Sequence, residues 1–188
     1  MTGPDGAAIT IERIRGDELR EVAAFVNECW REAYDGILDA GFLARLTTHG
    51  RAARLQAKLD AGGAVLVARD PGLCGMVLIR SSHFPDHPEA GEISALYLRA
   101  DRIGQGLGHR LFVLAEEALA ARGYDEFVLD VFEANERAVR FYTAHGYRKV
   151  GSKVDDFDGR TYPLAIMARR IGAVRATVGP SEGSRRLS

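Results

Sequence analysis

The sequence predicts a mixed α/β fold on three observations: alternating strand patterns near both ends of the chain, apolar stripes at helical spacing between them, and a glycine-rich turn joining a strand to the longest helical pattern. With 188 residues, 46% hydrophobic and 27% charged, the chain fits one globular domain with a buried core, assigned to residues 1–172. The net charge of −1 and the lack of a long Lys/Arg block give no electrostatic footprint for nucleic acid or an anionic membrane, so neither is expected as a partner. The first residues, MTGPDGAAIT, lack a basic segment followed by an apolar run, and no apolar stretch approaches a membrane span, so a cytoplasmic protein is expected. The two cysteines, Cys29 and Cys74, are too few and too scattered for a disulfide framework or a zinc site and read as buried thiols.

Residues 8–15 (AITIERIR) alternate as a strand, and Gly16-Asp17 offers a helix N-cap. Val22, Ala23, Phe25, Val26 and Trp30 recur at helical spacing. A second helical pattern follows Gly36 through Leu38, Phe42, Leu43 and Leu46, and residues 51–59 add a short helix. Residues 64–68 and 73–80 are apolar runs joined by Asp70-Pro71-Gly72, the signature of an antiparallel hairpin with two buried strands. Residues 83–90, with two prolines, form a loop before a strand at 91–98. Residues 107–122 carry an apolar stripe at Leu111, Leu114, Ala115, Ala118 and Leu119 and stop at Gly123. A strand at 126–131, a helix at 136–145 stopped by Gly146, and strands at 147–151 and 161–168 around a polar turn at 155–159 complete the order. The Gly, Ser and Arg content of residues 173–188 predicts a disordered tail.

The main chemical signal is Arg102-Ile103-Gly104-Gln105-Gly106-Leu107-Gly108, set between a strand and a helix, where free N–H groups and the positive helix end attract an anion. A dinucleotide fingerprint counted from Gly104 puts His109 where a third small residue belongs, and a P-loop lacks its lysine. A plain glycine turn with no ligand remains open on this segment alone.

One strand and one helix downstream stand Asn135-Glu136-Arg137-Ala138-Val139-Arg140-Phe141-Tyr142 and His145-Gly146-Tyr147. Together with the glycine loop they resemble the GCN5-related N-acetyltransferase (GNAT) superfamily, whose pattern is a G-x-G loop followed by N-x-x-A-x-x-F-Y-x-x-x-G-[FY]. The resemblance covers residues 8–169, and the stretch from Trp30 to Leu38 is similar to one common in bacterial small-substrate members. It implies a twisted, mostly antiparallel mixed sheet of about seven strands flanked by helices, with the fourth and fifth strands splayed to admit a pantetheine arm. It also implies acetyl-CoA as co-substrate, an amine acceptor and scope for a homodimer; the histidines show no metal-ligand spacing, so no metal is expected. The cofactor residues carried over are Leu96, Leu98, Ile103, Gly104, Gln105, Gly106, Leu107, Gly108, His109, Asn135, Ala138 and Tyr142. One departure is Ile103, where the family usually has Arg or Gln; Arg102 or Gln105 is the expected partial substitute.

By the resemblance Tyr142 is the general acid that protonates the departing thiolate, against the alternative of a core tyrosine. Helical spacing puts Phe141 in the core and Tyr142 at its margin. Asn135 caps the last helix and, by resemblance, bonds the pantetheine arm. Glu92 is the candidate base for the acceptor amine, against a solvated edge carboxylate, and the Leu98 N–H is the candidate polariser of the thioester carbonyl. Trp30, Tyr34 and Tyr97 read as acceptor-pocket wall or core, the histidines other than His109 as surface groups, and Asp86 and Glu89 as an attraction for a cationic amine or a plain polar loop. No serine has a nucleophile-elbow context, which favours direct transfer in a ternary complex. The reading is N-acetyl transfer to a small primary amine, with a protein N-terminus or lysine as the competing acceptor and a non-catalytic acyl-CoA sensor as the alternative outside catalysis.

Overall fold

A computed structural model describes residues 9–171, which build one seven-stranded sheet with helices on both faces. The strands are β1 (Thr10–Arg13), β2 (Ala64–Arg69), β3 (Leu73–Ser81), β4 (Gly91–Leu98), β5 (Glu126–Phe132), β6 (Arg148–Phe157) and β7 (Arg160–Arg170). The helices are α1 (Leu19–Ala33), α2 (Ala40–Ala44), α3 (Thr48–Asp60), α4 (Leu107–Ala120) and α5 (Glu136–Ala144). In space the strands run β1-β2-β3-β4-β5-β7-β6, antiparallel throughout except for a short parallel contact between β4 and β5. The expected mixed, mostly antiparallel sheet is present. The disordered tail expected at 173–188 lies outside the described residues.

The sheet is covered on both sides because its central strands are apolar on both faces. Along β3 the side chains alternate: Val77 and Ile79 join the cluster made by Leu111, Phe112, Ala115 and Leu119 of α4, while Met76 and Leu78 join Val22, Phe25, Val26 and Trp30 of α1. Cys29 and Cys74 are buried, as the sequence predicts, and burial pushes the Cys29 thiol up to about 12.

Three boundaries differ from the sequence reading for local reasons. Gly16-Asp17 is not the cap of α1 but part of a 3-10 turn, Gly16–Glu18, in which Arg15 N donates to Glu18 Oε2 at 2.8 Å. The pattern after Gly36 yields only the short α2, capped by Asp39, and α3 begins at Thr48 because the Thr47 hydroxyl accepts from Gly50 N at 3.1 Å. The closing strands are longer than expected. Their turn shrinks to Asp158-Gly159, both at positive φ (62° and 79°), which matches the twist of the hairpin and lets Asp155 and Asp156 stay in edge strand β6.

Close packing where β4 begins gives a first test. A Cβ on Gly91 would stand 2.8 Å from Leu119 Cδ2 and 3.0 Å from Tyr124 Cδ2, at the point where β4 touches β5. Gly91→Val is expected to lower stability by about 1–3 kcal/mol through overpacking, read as a lower denaturation midpoint; an unchanged midpoint would show that the contact yields freely.

Candidate active site

The site begins with one extra residue in β4. Leu78 pairs with Ala95 but Ile79 pairs with Ile93, so Ser94 is bulged against β3, and a bulge bends the strand that carries it. β4 and β5 pair only at Gly91↔Phe127 and Glu92↔Val128 and part beyond that. The ladder on the other side sets what faces the opening. Arg99 N donates to Cys74 O at 3.0 Å, so by antiparallel alternation Val77↔Leu96 and Gly75↔Leu98 are non-hydrogen-bonded pairs. The N–H and C=O groups of Leu96 and Leu98 therefore point away from β3, toward the gap beside β5.

Below the gap lies the glycine loop. Gly104 and Gly106 have φ of 79° and 81°, the left-handed region that a β-carbon disfavours, and Gly106 is the N-cap residue of α4. Arg110 N bonds Gly106 O, but the N–H groups of Leu107, Gly108 and His109 find no acceptor among the described residues. Three free donors and the positive end of a 14-residue helix meet at one point, which suits a phosphate oxygen. Gly108 is needed for closeness: a Cβ there would stand 3.0 Å from Leu98 Cδ1.

Gap and loop belong to one cavity of about 530 Å3, within the usual range for a small-molecule site. Its wall includes Glu92, Leu96, Leu98, Ile103, Gly104, Gly106, Gly108, His109, Asn135, Ala138 and Tyr142. Two residues expected at the cofactor do not line it. Gln105 is exposed, its Nε2 donating to Asp101 O at 2.5 Å, and the Leu107 side chain is buried in the core, so only its backbone faces an anion. Nor does Arg102 stand in for the family's usual residue at Ile103: it is buried and paired with Asp70 at 2.9 Å.

Asn135 caps α5, its side chain accepting from Ala138 N at 3.2 Å. The next turn reverses an expectation: Tyr142 is buried, 9% exposed, while Phe141 is only partly covered and lies along the cavity wall. The cause is Gly146-Tyr147, whose chain folds back so that Tyr147 N bonds Tyr142 O at 3.1 Å and packs Tyr147 and Phe112 around the Tyr142 ring. Burial, with the Tyr97 phenol and the Asp130 carboxylate nearby, holds the Tyr142 phenol well above its ordinary range, so it stays protonated and able to donate. At the loop, His145 Nδ1 donates to Phe141 O at 2.8 Å, which leaves His145 Nε2 to accept from His109 Nδ1 at 2.8 Å and fixes the His109 ring beside the free N–H groups.

At the other end, Glu92 is not a solvated edge carboxylate. It is 2% exposed, with Arg80 Nη2 2.9 Å from Oε1 and His83 Nδ1 2.7 Å from Oε2. Burial pushes its carboxyl up, but the hydrogen bonds of His83 and Arg80 and the Arg80 charge outweigh that and hold it below the usual carboxylate range. His83, read as a surface group, is therefore part of the site, half-exposed on the cavity wall. Asp86 and Glu89 are exposed and do not line the cavity, so they lend it no negative charge.

The rest of this chamber comes from Trp30, Tyr34 and Tyr97, which the sequence read as pocket wall or core, and from residues that no sequence motif marked. α1 supplies Trp30 and its C-cap residue Tyr34, which are both core and wall; α3 supplies Arg51, Arg54 and Lys58; β5 supplies Asp130 and Phe132, and β6 supplies Lys153, Asp155 and Phe157. Tyr97 also faces it, its hydroxyl accepting from Trp30 Nε1 at 2.8 Å.

The sequence profile of the family described as acetyltransferase (GNAT) matches residues 23–147, more than half of the chain. The chain belongs to the acetyltransferase (GNAT) family. Among curated GNAT-type relatives, the uncharacterized N-acetyltransferase YuaI of Bacillus subtilis (strain 168) is 26% identical over 154 residues, covering 80% of this chain and 85% of that protein. The peptidyl-lysine N-acetyltransferase YjaB of Escherichia coli (strain K12) is 40% identical over 77 residues, covering 40% of this chain and 48% of that protein. The crystal structure of PaiA N-acetyltransferase from Thermoplasma acidophilum in complex with coenzyme A superposes with a TM-score of 0.69 at 21% identity, over 87% of this chain and 99% of that one. The open mixed sheet with a parallel β4/β5 contact is thus the GNAT fold, and the chain is an N-acetyltransferase of that family.

Proposed function

We propose that the protein transfers an acetyl group from acetyl-CoA to the primary amine of a small molecule by direct attack in a ternary complex. The observation that carries this reading is the single cavity in which the β4/β5 gap joins the glycine loop to a chamber walled by α1, α3 and the β5 to β7 strands. Acetyl-CoA fits the loop end: pyrophosphate on the free N–H groups of Leu107, Gly108 and His109, and pantetheine along Leu96, Leu98, Ile103, Asn135 and Ala138. The presence of coenzyme A in the PaiA crystal supports that choice of co-substrate.

The chemistry balances within these residues. The amine nitrogen forms a bond to the acetyl carbon while the carbonyl oxygen is polarised by the Leu98 N–H. The carbon–sulfur bond then breaks, the thiolate takes a proton from the Tyr142 hydroxyl, and the second proton that the acceptor nitrogen loses on becoming an amide returns through water to reprotonate Tyr142. The proton of the incoming ammonium goes to the Glu92 end of the cavity. Because both Glu92 oxygens are engaged, Glu92 fixes the His83 imidazole and the pair receives the proton, directly or through water. Glu92→Gln is expected to lower kcat/KM by about 100-fold while leaving the acetyl-CoA dissociation constant within twofold. The Glu92 carboxyl is held below its ordinary value of 4.5, so its pairing stabilises the fold fully above that range and fades as pH falls through the lower folded value. Acid titration of stability is accordingly expected to be shallower in Glu92→Gln.

The likeness to YjaB favours one second reading, acetylation of a protein lysine. A thiol-release screen with acetyl-CoA over amines, amino acids, antibiotics and lysine- or N-terminal peptides separates the two. Release with small amines and not with peptides is expected; binding of acetyl-CoA without release from any acceptor would leave a sensor instead of an enzyme.

A further inference from the structure

Charge in the acceptor chamber is unevenly compensated. Glu92 is matched by Arg80, and Asp130 and Asp155 are matched by Lys153 at 2.5 and 3.1 Å. These are the carboxylates on the wall. Three cations of α3 also line it: Arg51, Arg54 and Lys58, spaced i, i+3 and i+7 along one helix face. Among the described residues none of the three has a carboxylate partner. Lys58 Nζ is hydrogen-bonded to a neutral group, Ser94 Oγ, at 2.8 Å. Arg51 is held in place with its charge unanswered: its Nε donates to Asn27 Oδ1 at 3.0 Å, its guanidinium lies 4.2 Å from the Trp30 ring centroid, and its Nη2 is buried with no partner. Burial lowers the affinity of Arg51 and Lys58 for their protons, and at Lys58 the attraction of Glu92 and Asp130 does not outweigh it.

Resting on the amine acetylation proposed above, we infer that the acceptor is a primary amine that also carries an oxyanion, a carboxylate or a phosphonate, received by Arg51, Arg54 and Lys58. A purely cationic acceptor such as an alkylamine, a polyamine or a lysine side chain meets three like charges there. An amine with its own oxyanion supplies the missing counter-charge, and Arg54, whose guanidinium has no bonded partner among the described residues, presents a forked donor that suits a two-oxygen group. The same chamber is walled by Trp30, Tyr34, Phe132 and Phe157, so the body between amine and oxyanion is apolar. Apolar α-amino acids and aminoalkylphosphonates are the class.

The test is thiol release from acetyl-CoA with matched acceptors: aromatic and aliphatic amino acids, their carboxamides, the corresponding decarboxylated amines, and aminoalkylphosphonates. The oxyanion-bearing members are expected to exceed their matched amides and amines at least tenfold in kcat/KM. Arg54→Gln, at an exposed position where folding is not at stake, and Lys58→Met are each expected to raise KM for the oxyanionic acceptor about tenfold and to shrink the ratio between acid and amide, with the acetyl-CoA dissociation constant unchanged. Equal turnover of acids, amides and amines, or a ratio untouched by both substitutions, overturns the inference while leaving amine acetylation in place. If acetyl-CoA binds and no acceptor releases thiol, the acetylation reading and this inference fall together.

Discussion

Replacing Tyr142 by Phe is expected to lower kcat by about 10²–10³-fold, within the range that one general acid supplies, with little change in KM for acetyl-CoA. The argument rests on what the substitution removes. The ring stays, packed against Phe112 and Tyr147, so α5 and the cavity wall keep their shape and only the hydroxyl is lost. No protein acceptor or donor is bonded to that hydroxyl among the described residues, so deleting it leaves no orphaned partner and stability is expected to stay level. The group lies on the cavity wall and holds its proton more tightly than an ordinary phenol. Wild-type activity is therefore not expected to show a basic limb from Tyr142 deprotonation below about pH 10. A Phe variant with full turnover from pH 6 to 9 would remove Tyr142 from the mechanism and leave water as the source of the proton. A variant with lower kcat and a lower midpoint would point to packing instead.

The glycine-loop end of the cavity was legible in the sequence because its geometry is written in backbone. Gly104, Gly106 and Gly108 mark a loop whose N–H groups are free, and Asn135 marks a helix cap; each is a local requirement that a short motif must spell out. The splay of β4 from β5 was foreseen only through the family resemblance, since its cause, the bulge at Ser94, has no residue signature in GEISALYL. The other end, proposed for the acceptor, was legible only in part, through Glu92, Trp30, Tyr34 and Tyr97. Arg51, Arg54 and Lys58 look like the polar face of an ordinary helix until α3 is laid beside β4, and His83 looks like a loop residue until the chain brings it back to Glu92. The Phe141/Tyr142 reversal has the same origin. Spacing on one helix ranks its faces, but Tyr147, which returns after Gly146, decides which of the two rings is covered.

Arg102→Met is expected to destabilise the fold by about 3–5 kcal/mol, the usual consequence of removing one partner from a buried ion pair. Arg102 belongs to the turn Ala100–Arg102 that leads into the glycine loop, and Asp70 to the turn between β2 and β3. Their side chains are 6% and 1% exposed and approach to 2.9 Å. The approach is ionic more than a well-aligned hydrogen bond, since Asp70 Oδ2 and Arg102 Nε are both buried without a hydrogen-bond partner. Deleting the guanidinium would leave a carboxylate out of water with nothing to answer its charge. Removing both ends is a different case: Asp70→Leu with Arg102→Met replaces an imperfect pair by apolar contact and is expected to recover most of the loss. Denaturant midpoints of the wild type, the two single variants and the double variant measure this, and single losses that simply add in the double variant would show that the pair carries no coupling. Acetyl-CoA affinity of the double variant asks a second question. If the ion pair only ties the loop down, packing can replace it and affinity returns with stability. If stability returns and affinity does not, Arg102 sets the position of the Leu107, Gly108 and His109 N–H groups, and the missing side-chain donor at Ile103 is offset by a buried arginine one residue earlier that acts through the backbone.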